Sequence, residues 1–552
     1  MRTGHTRGGA WGVVIVIALV GLLALLSFEG PRNGLQRLLH SAEASDPLLH
    51  YDIVIYGGSF SGYAAARAIH RENPGMRLLM IVPQRRLGEI GTVAAQNFWD
   101  LRGYRKDWIA GTFNELFEFQ NRGYDPDAMA AFMEENLRFN PLFEVKYQTD
   151  IVGSTVQEGE VREVQEGEVR EIAIRSLVRA PTGEETWDTL APTIRVQARV
   201  FIDASYTARL LRLSGFLGVT GRDDYARSTE QQAVTLMFEV EGLDFVAASK
   251  SGDFEWGIDK DGSRLLWGGK PNTHPVTWRF NATHKAEFRI KPMNIAEGAK
   301  DRWWINTILM YGVDATKELK DEGTYRYPRS ELMSVDEGYT KARKMVESDE
   351  FLAALRDFPG FSSVRISRVA DMLYIRESAH SSLYPNPGYF GFAVRADHLT
   401  RAGRDQYSGT DSENYKTRIG LAFYQMDTQG YIDKDPWEEH FEDQTRVNPV
   451  YPAYIPYEAL LNPNLRNVLI CGYGINASSI AWYALRVLPN QMVLGDAAGV
   501  AAETAISRQL APADFGEAEI FEVQRHLREM GAILEKKADR EPRFLPPRAP
   551  AP

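Results

Sequence analysis

The apolar positions of this chain fall into short runs that end in glycine. Ile53, Val54, Ile55 and Tyr56 form the first run, rich in β-branched and aromatic residues and long enough for one buried strand. Gly57 and Gly58 end it, Ser59-Phe60-Ser61-Gly62 follows, and the alanine-rich run 64–69 predicts a helix. Strand, glycine turn and helix make an anion site plausible chemistry, because backbone N–H groups and the positive helix end meet at the turn. It is the opening of a dinucleotide-binding βαβ unit, although an ordinary β–turn–helix reads the same way from this stretch alone.

The pattern recurs along the chain. Residues 77–82 (RLLMIV) predict a second strand, and residues 128–139 an amphipathic helix introduced by Tyr124-Asp125-Pro126. Residues 145–200 alternate like strands and turns. They contain a tandem octapeptide, VQEGEVRE at 156–163 and again at 164–171, which suits a solvent-facing hairpin. A charged docking strand and a tolerated surface duplication are both consistent with it. Residues 196–205 (VQARVFIDAS) return to a buried strand, with a helix through Leu213. A mixed, aromatic-rich region runs from 231 to about 440, and its tryptophans either line a cavity or pack a core. Residues 467–474 (NVLICGYG) predict a further glycine-ended strand, and 495–505 (GDAAGVAAETA) the start of a small-residue helix. An amphipathic helix at 519–534 and a Pro-rich tail from 540 to 552 close the chain.

Composition narrows the function class. A net charge of -11 argues against nucleic acid as the main partner. The single cysteine, Cys471, excludes an intrachain disulfide and a cysteine-rich metal centre. The ten histidines show no ligand spacing, so no metal is expected. The apolar run 11–28 approaches the ~20 residues that cross a bilayer, and its nearest small-x-small site, Ala42-Glu43-Ala44, lies far beyond its end. An uncleaved signal anchor is therefore favoured over a cleaved signal peptide. The catalytic domain is then placed on the periplasmic or extracytoplasmic side.

Several blocks, in consistent order over about residues 50–510, resemble the FAD-dependent oxidoreductases whose first turn reads Tyr-Gly-Gly-Thr/Ser. They are IYGGSFSG at 55–62, the strand and Leu87-Gly88 at 78–88, and VFIDAS at 200–205. They continue with PGF and IRES within 359–378, and with YIPYEALL, NVLICG, RVLP and LGDAAGVAA within 454–505. The resemblance implies an α/β fold: a split Rossmann-like FAD-binding domain with an inserted α+β substrate domain, preceded here by one transmembrane helix. The segments are 1–46 (anchor and linker), 47–225 (FAD-binding, first part), 226–440 (substrate or cap), 441–515 (FAD-binding, closing part) and 516–552 (helix and tail). It implies a glutathione-reductase-like arrangement with the flavin at the domain interface.

The implied FAD contacts are Gly57, Gly58, Ser59, Ser61 and Gly62 at the pyrophosphate, with charge from Arg85 and Arg86. Asp203, Ala204 and Ser205 lie under the nucleotide, and Gly472, Gly495, Asp496, Ala498 and Gly499 reach toward the ribityl and isoalloxazine end. Asn97 and Trp99 fall on the flavin face. Three departures stand out. Val82 occupies the place of the ribose-binding acid, which leaves Gln84 or backbone for that role. Tyr206 and Tyr473 stand where smaller or acidic groups are usual. Glu89-Ile90 follows Gly88 where glycine and then Met or Leu are usual.

The polar candidates for chemistry are Arg376, Glu377 and His380 in IRESAH. A guanidinium holds a carboxylate or an oxyanion, and a histidine moves a proton near neutral pH. A structural Arg376–Glu377 ion pair is the alternative. The expected function is hydride transfer between a small organic substrate and flavin, with oxygen, a quinone or an electron-transfer protein as acceptor. The alternative class is a flavoprotein-like binding module without turnover. An NAD-only dehydrogenase fits less well, because the closing segment 467–505 is of the flavin type.

Overall fold

In the computed structural model of the chain, the described residues are 47–99, 101, 110–138, 140–158, 167–215, 218–221, 231–380, 417–422, 453–462, 464–477, 482 and 485–535. The run 11–28 lies outside them. Among the described residues no helix is long and apolar enough to cross a membrane.

The first part of the chain supplies β1 (Leu48–Tyr56), β2 (Leu78–Val82), β3 (Phe143–Tyr147), β4 (Thr149–Glu158), β5 (Gly167–Arg179), β6 (Glu185–Trp187) and β7 (Ile194–Asp203). β1 is central because it is apolar on both faces: Ile53 to Tyr56 are at most 1% exposed. Such a strand needs covering on both sides, which a parallel sheet with crossover helices provides. β1 pairs in parallel with β2 and with β7, and β2 in parallel with β3. The helix α1 (Phe60–Glu72) makes the first crossover and covers one face. It begins earlier than the alanines suggest, because Ser59 caps it and accepts from the Gly62 N–H.

The described residues of the two octapeptides, 156–158 and 167–171, lie on the paired strands β4 and β5, with Val156 opposite Val169. The hairpin is not wholly solvent-facing. Val169, Ile172 and Ile174 are fully buried, and β5 continues the sheet by pairing antiparallel with β7. The Asn467 amide mimics a further strand here, accepting from the Val169 N–H and donating to its carbonyl, both at 2.9 Å.

The inserted region builds a six-stranded antiparallel sheet from β8 (Phe238–Glu241), β9 (Phe254–Ile258), β10 (Arg264–Gly268), β11 (Phe288–Glu297), β12 (Trp303–Met310) and β13 (Arg365–Val369). The order is β9-β10-β11-β12-β8-β13. Trp303 and Trp304 of β12 are core residues, whereas Trp256 and Trp278 are about half exposed. The chain then returns to the first sheet with β14 (Val468–Ile470), parallel to the C-terminal half of β7.

After α2 (Thr112–Phe119) and α3 (Pro126–Arg138), the last layer is α4 (Leu488–Arg508). The small-residue run 495–505 is not a helix start. The helix begins at Leu488, with Pro489 in its first turn, and the run lies inside it. The glycines serve a close helix crossing. A Cβ on Gly495 would lie 2.2 Å from the Ser61 carbonyl oxygen, and one on Gly499 would lie 2.4 Å from that of Ala65. Ala64, Ala65 and Ala68 give α1 the matching small face.

A buried ionic cluster joins the first sheet to the inserted region. Arg209 is fully buried and donates to Glu318 at 2.9 Å, to both oxygens of Asp321 at 2.5 and 2.9 Å, and to the Ile151 carbonyl at 2.8 Å. Lys320 pairs with Asp150 at 2.9 Å and with Glu318 at 2.5 Å. Asp150 also accepts from the Tyr56 hydroxyl at 2.8 Å. Burial alone would raise the Glu318 carboxyl, but Lys320 and Arg209 hold it well below the usual range.

Candidate functional site

Three strand ends meet at the C-terminal edge of the parallel sheet, where ligands of open α/β sheets bind. The Ala204 N–H donates to the Tyr56 carbonyl at 2.8 Å, and the Cys471 and Gly472 N–H groups donate to the Asp203 carbonyl at 3.0 Å. The crossings are too close for side chains. A Cβ on Gly57, whose φ is +104°, would lie 2.6 Å from the Ser205 nitrogen. One on Gly62 would lie 2.3 Å from the Gly57 carbonyl oxygen, and one on Gly472 would lie 2.3 Å from that of Ser205. At Gly58 the added atom would meet the Val82 methyls at 2.8 Å.

Ser59 ties this turn together. Its hydroxyl donates to the Ala204 carbonyl at 2.7 Å, accepts from the Gly62 N–H, and lies 2.9 Å from the Ser61 hydroxyl. Asp203 organises the next turn, accepting from the Ser205 N–H and hydroxyl and from the Leu211 N–H. Burial pushes its carboxyl up to about 6, against the pull of those bonds.

The N-terminus of α1 opens on a small recess lined by Ser59, Phe60, Gly88, Glu89, Ala204 and Tyr206, with Ile90, Tyr473, Leu488 and Gln491 beyond. Phe60 joins an aromatic wall with Trp99 (centroids 5.1 Å apart) and Tyr124 (6.4 Å). Tyr124 donates from its hydroxyl to the carbonyls of Gly91 and Gln96. Asn97 donates to the carbonyls of Tyr124 and Ala296. Trp99 is fully buried between Phe60, Phe113 and Tyr124, so both of these residues pack inside the wall. Phe60 and Tyr124 were not singled out from sequence as site residues. The Phe between two small polar residues in the turn was the available signal.

The other candidates divide. Arg86 pairs with Asp127, which also binds Arg368 at 2.9 Å, and Arg85 pairs with Asp371, so both arginines engage carboxylates of the protein. Asp496 is a helix cap. It accepts from the Thr112 N–H at 2.9 Å and hydroxyl at 2.5 Å, at the first turn of α2 (Thr112–Phe119). Ala498 is buried in α4 beside the crossing made by Gly495 and Gly499. These contacts account for the small residues of that segment within the fold.

Burial raises the Asp496 carboxyl to about 6. Its folded pKa therefore lies above the unfolded value of about 3.9. The resulting stability is fully present below about pH 4 and is lost as pH rises through about 6. In Asp496→Asn the amide oxygen can still accept from the Thr112 N–H, and the amide NH2 can donate to the Thr112 hydroxyl oxygen, without the buried charge. Thermal melts between about pH 4 and about pH 7 are expected to show a shallower loss of stability in this variant. An unchanged pH profile would show that Asp496 does not titrate in the folded chain.

Arg376, Glu377 and His380 lie where the inserted region meets the closing segment. Arg376 is 6% exposed, donates to the Ala233 carbonyl at 2.5 Å and the Thr235 hydroxyl at 2.9 Å, and sits 4.3 Å above the Tyr374 ring. Glu377 accepts from the Gln232 N–H at 2.8 Å. The backbone of His380 is paired with Val219. From the other side, the Tyr473 hydroxyl donates to the Ile375 carbonyl, the Trp482 indole N–H to the Arg376 carbonyl, and Arg486 to the Tyr374 hydroxyl. Tyr473 is thus a tie between the two parts, which explains a large residue at that place.

A flavin dinucleotide is testable against these groups. The glycine turn and the N-terminus of a 13-residue helix suit a diphosphate. At the end of β2, Val82 offers no ribose acceptor. Two residues on, Gln84 is 6% exposed and its amide oxygen has no hydrogen-bond partner, so a ribose hydroxyl has an acceptor there. The residues fit the cofactor, with the Glu89 side chain as the obstacle within the recess.

No curated protein matches the chain in sequence. Among solved structures it is similar to a geranylgeranyl bacteriochlorophyll reductase-like protein from Thermoplasma acidophilum, at 10% identity, covering 88% of this chain and 85% of that one, with a TM-score of 0.33. It is also similar to the myxobacterial chondrochloren halogenase, a variant of the FAD-dependent halogenases (11%, 87% and 79%, 0.36). A third is a probable FAD-dependent monooxygenase from Pseudomonas aeruginosa (12%, 87% and 93%, 0.29). These likenesses are too loose to carry a functional argument. The family model described as FAD dependent oxidoreductase matches residues 52–527, nearly the whole of the described fold. The chain belongs to the FAD dependent oxidoreductase family, and FAD is its cofactor.

Proposed function

We propose that the chain is a dehydrogenase or oxidase of a small organic substrate. The observation that supports this most directly is the convergence of Tyr56–Gly57, Asp203–Ser205 and Cys471–Gly472 beside the N-terminus of α1, within a chain of this family. When bound, FAD supplies a two-electron acceptor for a substrate C–H bond. The substrate loses a hydride and a proton, and oxygen, a quinone or an electron-transfer protein takes the electrons onward.

The protein's part is positioning and proton handling. Arg376 and Glu377 anchor the 374–378 segment to the backbone and side chains of 232–235, which favours a positioning role for both. His380 belongs to the same segment, and its type suits uptake of the substrate proton near neutral pH. The apolar run 11–28 supports an N-terminal anchor with the catalytic domain on the extracytoplasmic side, which favours a membrane-soluble acceptor.

The test uses the full chain. Purified protein is expected to show flavin absorbance, or to be stabilised by added FAD. Anaerobic addition of candidate substrates should bleach the flavin. Absence of flavin peaks together with no stabilisation by FAD sinks the enzyme reading. It favours instead a binding module without turnover, the reading that Glu89 in the recess supports.

A further inference from the structure

Glu89 is out of place by every local criterion. Its φ is +38°, in the left-handed region that glycine tolerates and glutamate rarely adopts. It follows Gly88, at φ +100°, whose N–H donates to the Gly58 carbonyl and so fixes this corner against the glycine turn. The side chain is 1% exposed, and its Oε1 has no hydrogen-bond partner. A carboxyl group belongs in water or against a cation. This one instead faces the N–H groups of Gly58 and Tyr206, with the carboxylates of Asp203 and Asp150 adding repulsion. It lines the same recess as Ser59 and Phe60 at the start of α1. Burial pushes its pKa well above the usual carboxyl range, and the two N–H groups pull it part of the way back.

Two N–H groups and a helix N-terminus are the chemistry that takes a phosphate. The group that lies against them here, in the same recess, is the chain's own carboxyl. We propose that Glu89 is an intramolecular occupant of the anion cradle, competing with the cofactor diphosphate for the N–H groups of Gly58 and Tyr206. In this way it sets how tightly the chain holds FAD. The proposal rests on the flavoprotein reading and adds to it a residue that weakens, rather than forms, the cofactor site. A diphosphate and this side chain cannot face the same two N–H groups at once. Loading therefore requires the side chain to rotate out. The strained backbone at 89 is relieved only by a residue without a Cβ.

The experiment is a titration of the full chain, stripped of flavin, with FAD, for wild type, Glu89→Gly and Glu89→Gln. The readouts are flavin fluorescence for the dissociation constant and the melting temperature without and with inorganic pyrophosphate. Glu89→Gly is expected to bind FAD at least about tenfold more tightly than wild type, to melt higher without any ligand, and to gain more from pyrophosphate. Glu89→Gln keeps the bulk and is expected to fall at wild type or between the two, which also guards against a folding defect in the glycine variant. Equal FAD affinity in all three overturns the proposal and leaves the flavoprotein reading intact. Weaker binding by Glu89→Gly also overturns it, since Glu89 would then be a ligand of the cofactor. No FAD binding by any variant overturns both.

Discussion

Replacing Arg209 with leucine is expected to lower the unfolding free energy by about 3–5 kcal/mol. Arg209 is fully buried, and its guanidinium answers Asp321 at two oxygens and Glu318 at one. Without it Glu318 keeps Lys320, which also serves Asp150, and Arg212 at 3.6 Å, while Asp321 loses its paired charge-assisted bonds. The cost comes from uncompensated charge and not from a lost attraction, so an isolated change is harsher than removal of the whole cluster. Urea denaturation of Arg209→Leu against wild type measures it. Arg209→Lys should recover only part of the loss, since an ammonium cannot reproduce the paired bonds to Asp321. A loss below about 1 kcal/mol would show that the cluster is hydrated and weak.

The second large effect is expected at Gly57. In Gly57→Ala the new Cβ would stand 2.6 Å from the Ser205 nitrogen and 2.7 Å from its Cα, at a φ of +104°. Strain of this kind costs on the order of 1–3 kcal/mol, and the backbone overlap cannot be relieved by rotating a side chain. The turn must open, and the N–H groups that face the recess move with it. Loss of flavin from the purified protein is expected, with FAD affinity reduced by at least about tenfold. Gly262→Ala is the control: it also has a positive φ, +87°, but nothing lies within 4 Å of the added atom. It should lose stability without losing flavin. Equal flavin retention by the two variants would remove the glycine turn from the cofactor site.

Much of the fold could be read from local pattern. The runs at 53–56, 78–82 and 200–202 are apolar without alternation, which points to strands buried on both faces. Gly57 and Gly58 mark a turn because the sequence cannot continue either element through them. Only distant contacts decided which residues beside the turn belong to the recess. Glu89 reads as a polar residue after a glycine until the corner at Gly88 folds it onto Gly58. Phe60 and Tyr124, sixty-four residues apart in sequence, become one wall.

The closing segment shows the same division. Its small residues announce a close approach, but not to what. Gly495 and Gly499 meet the backbone of α1, and Asp496 meets the cap of α2, because α4 starts seven residues earlier than the glycines suggest. Arg86 and Arg376 look from sequence like charges available to a ligand, whereas the tertiary structure assigns them Asp127 and the backbone of residue 233. The sequence by itself determined the strands, the glycine turn and the family, because periodicity and glycine placement act over a few residues. The partners of buried charges, the wall and the occupant of the cradle were decided only by tertiary structure. Burial and pairing depend on what the chain brings back from far away, and no local pattern carries that information.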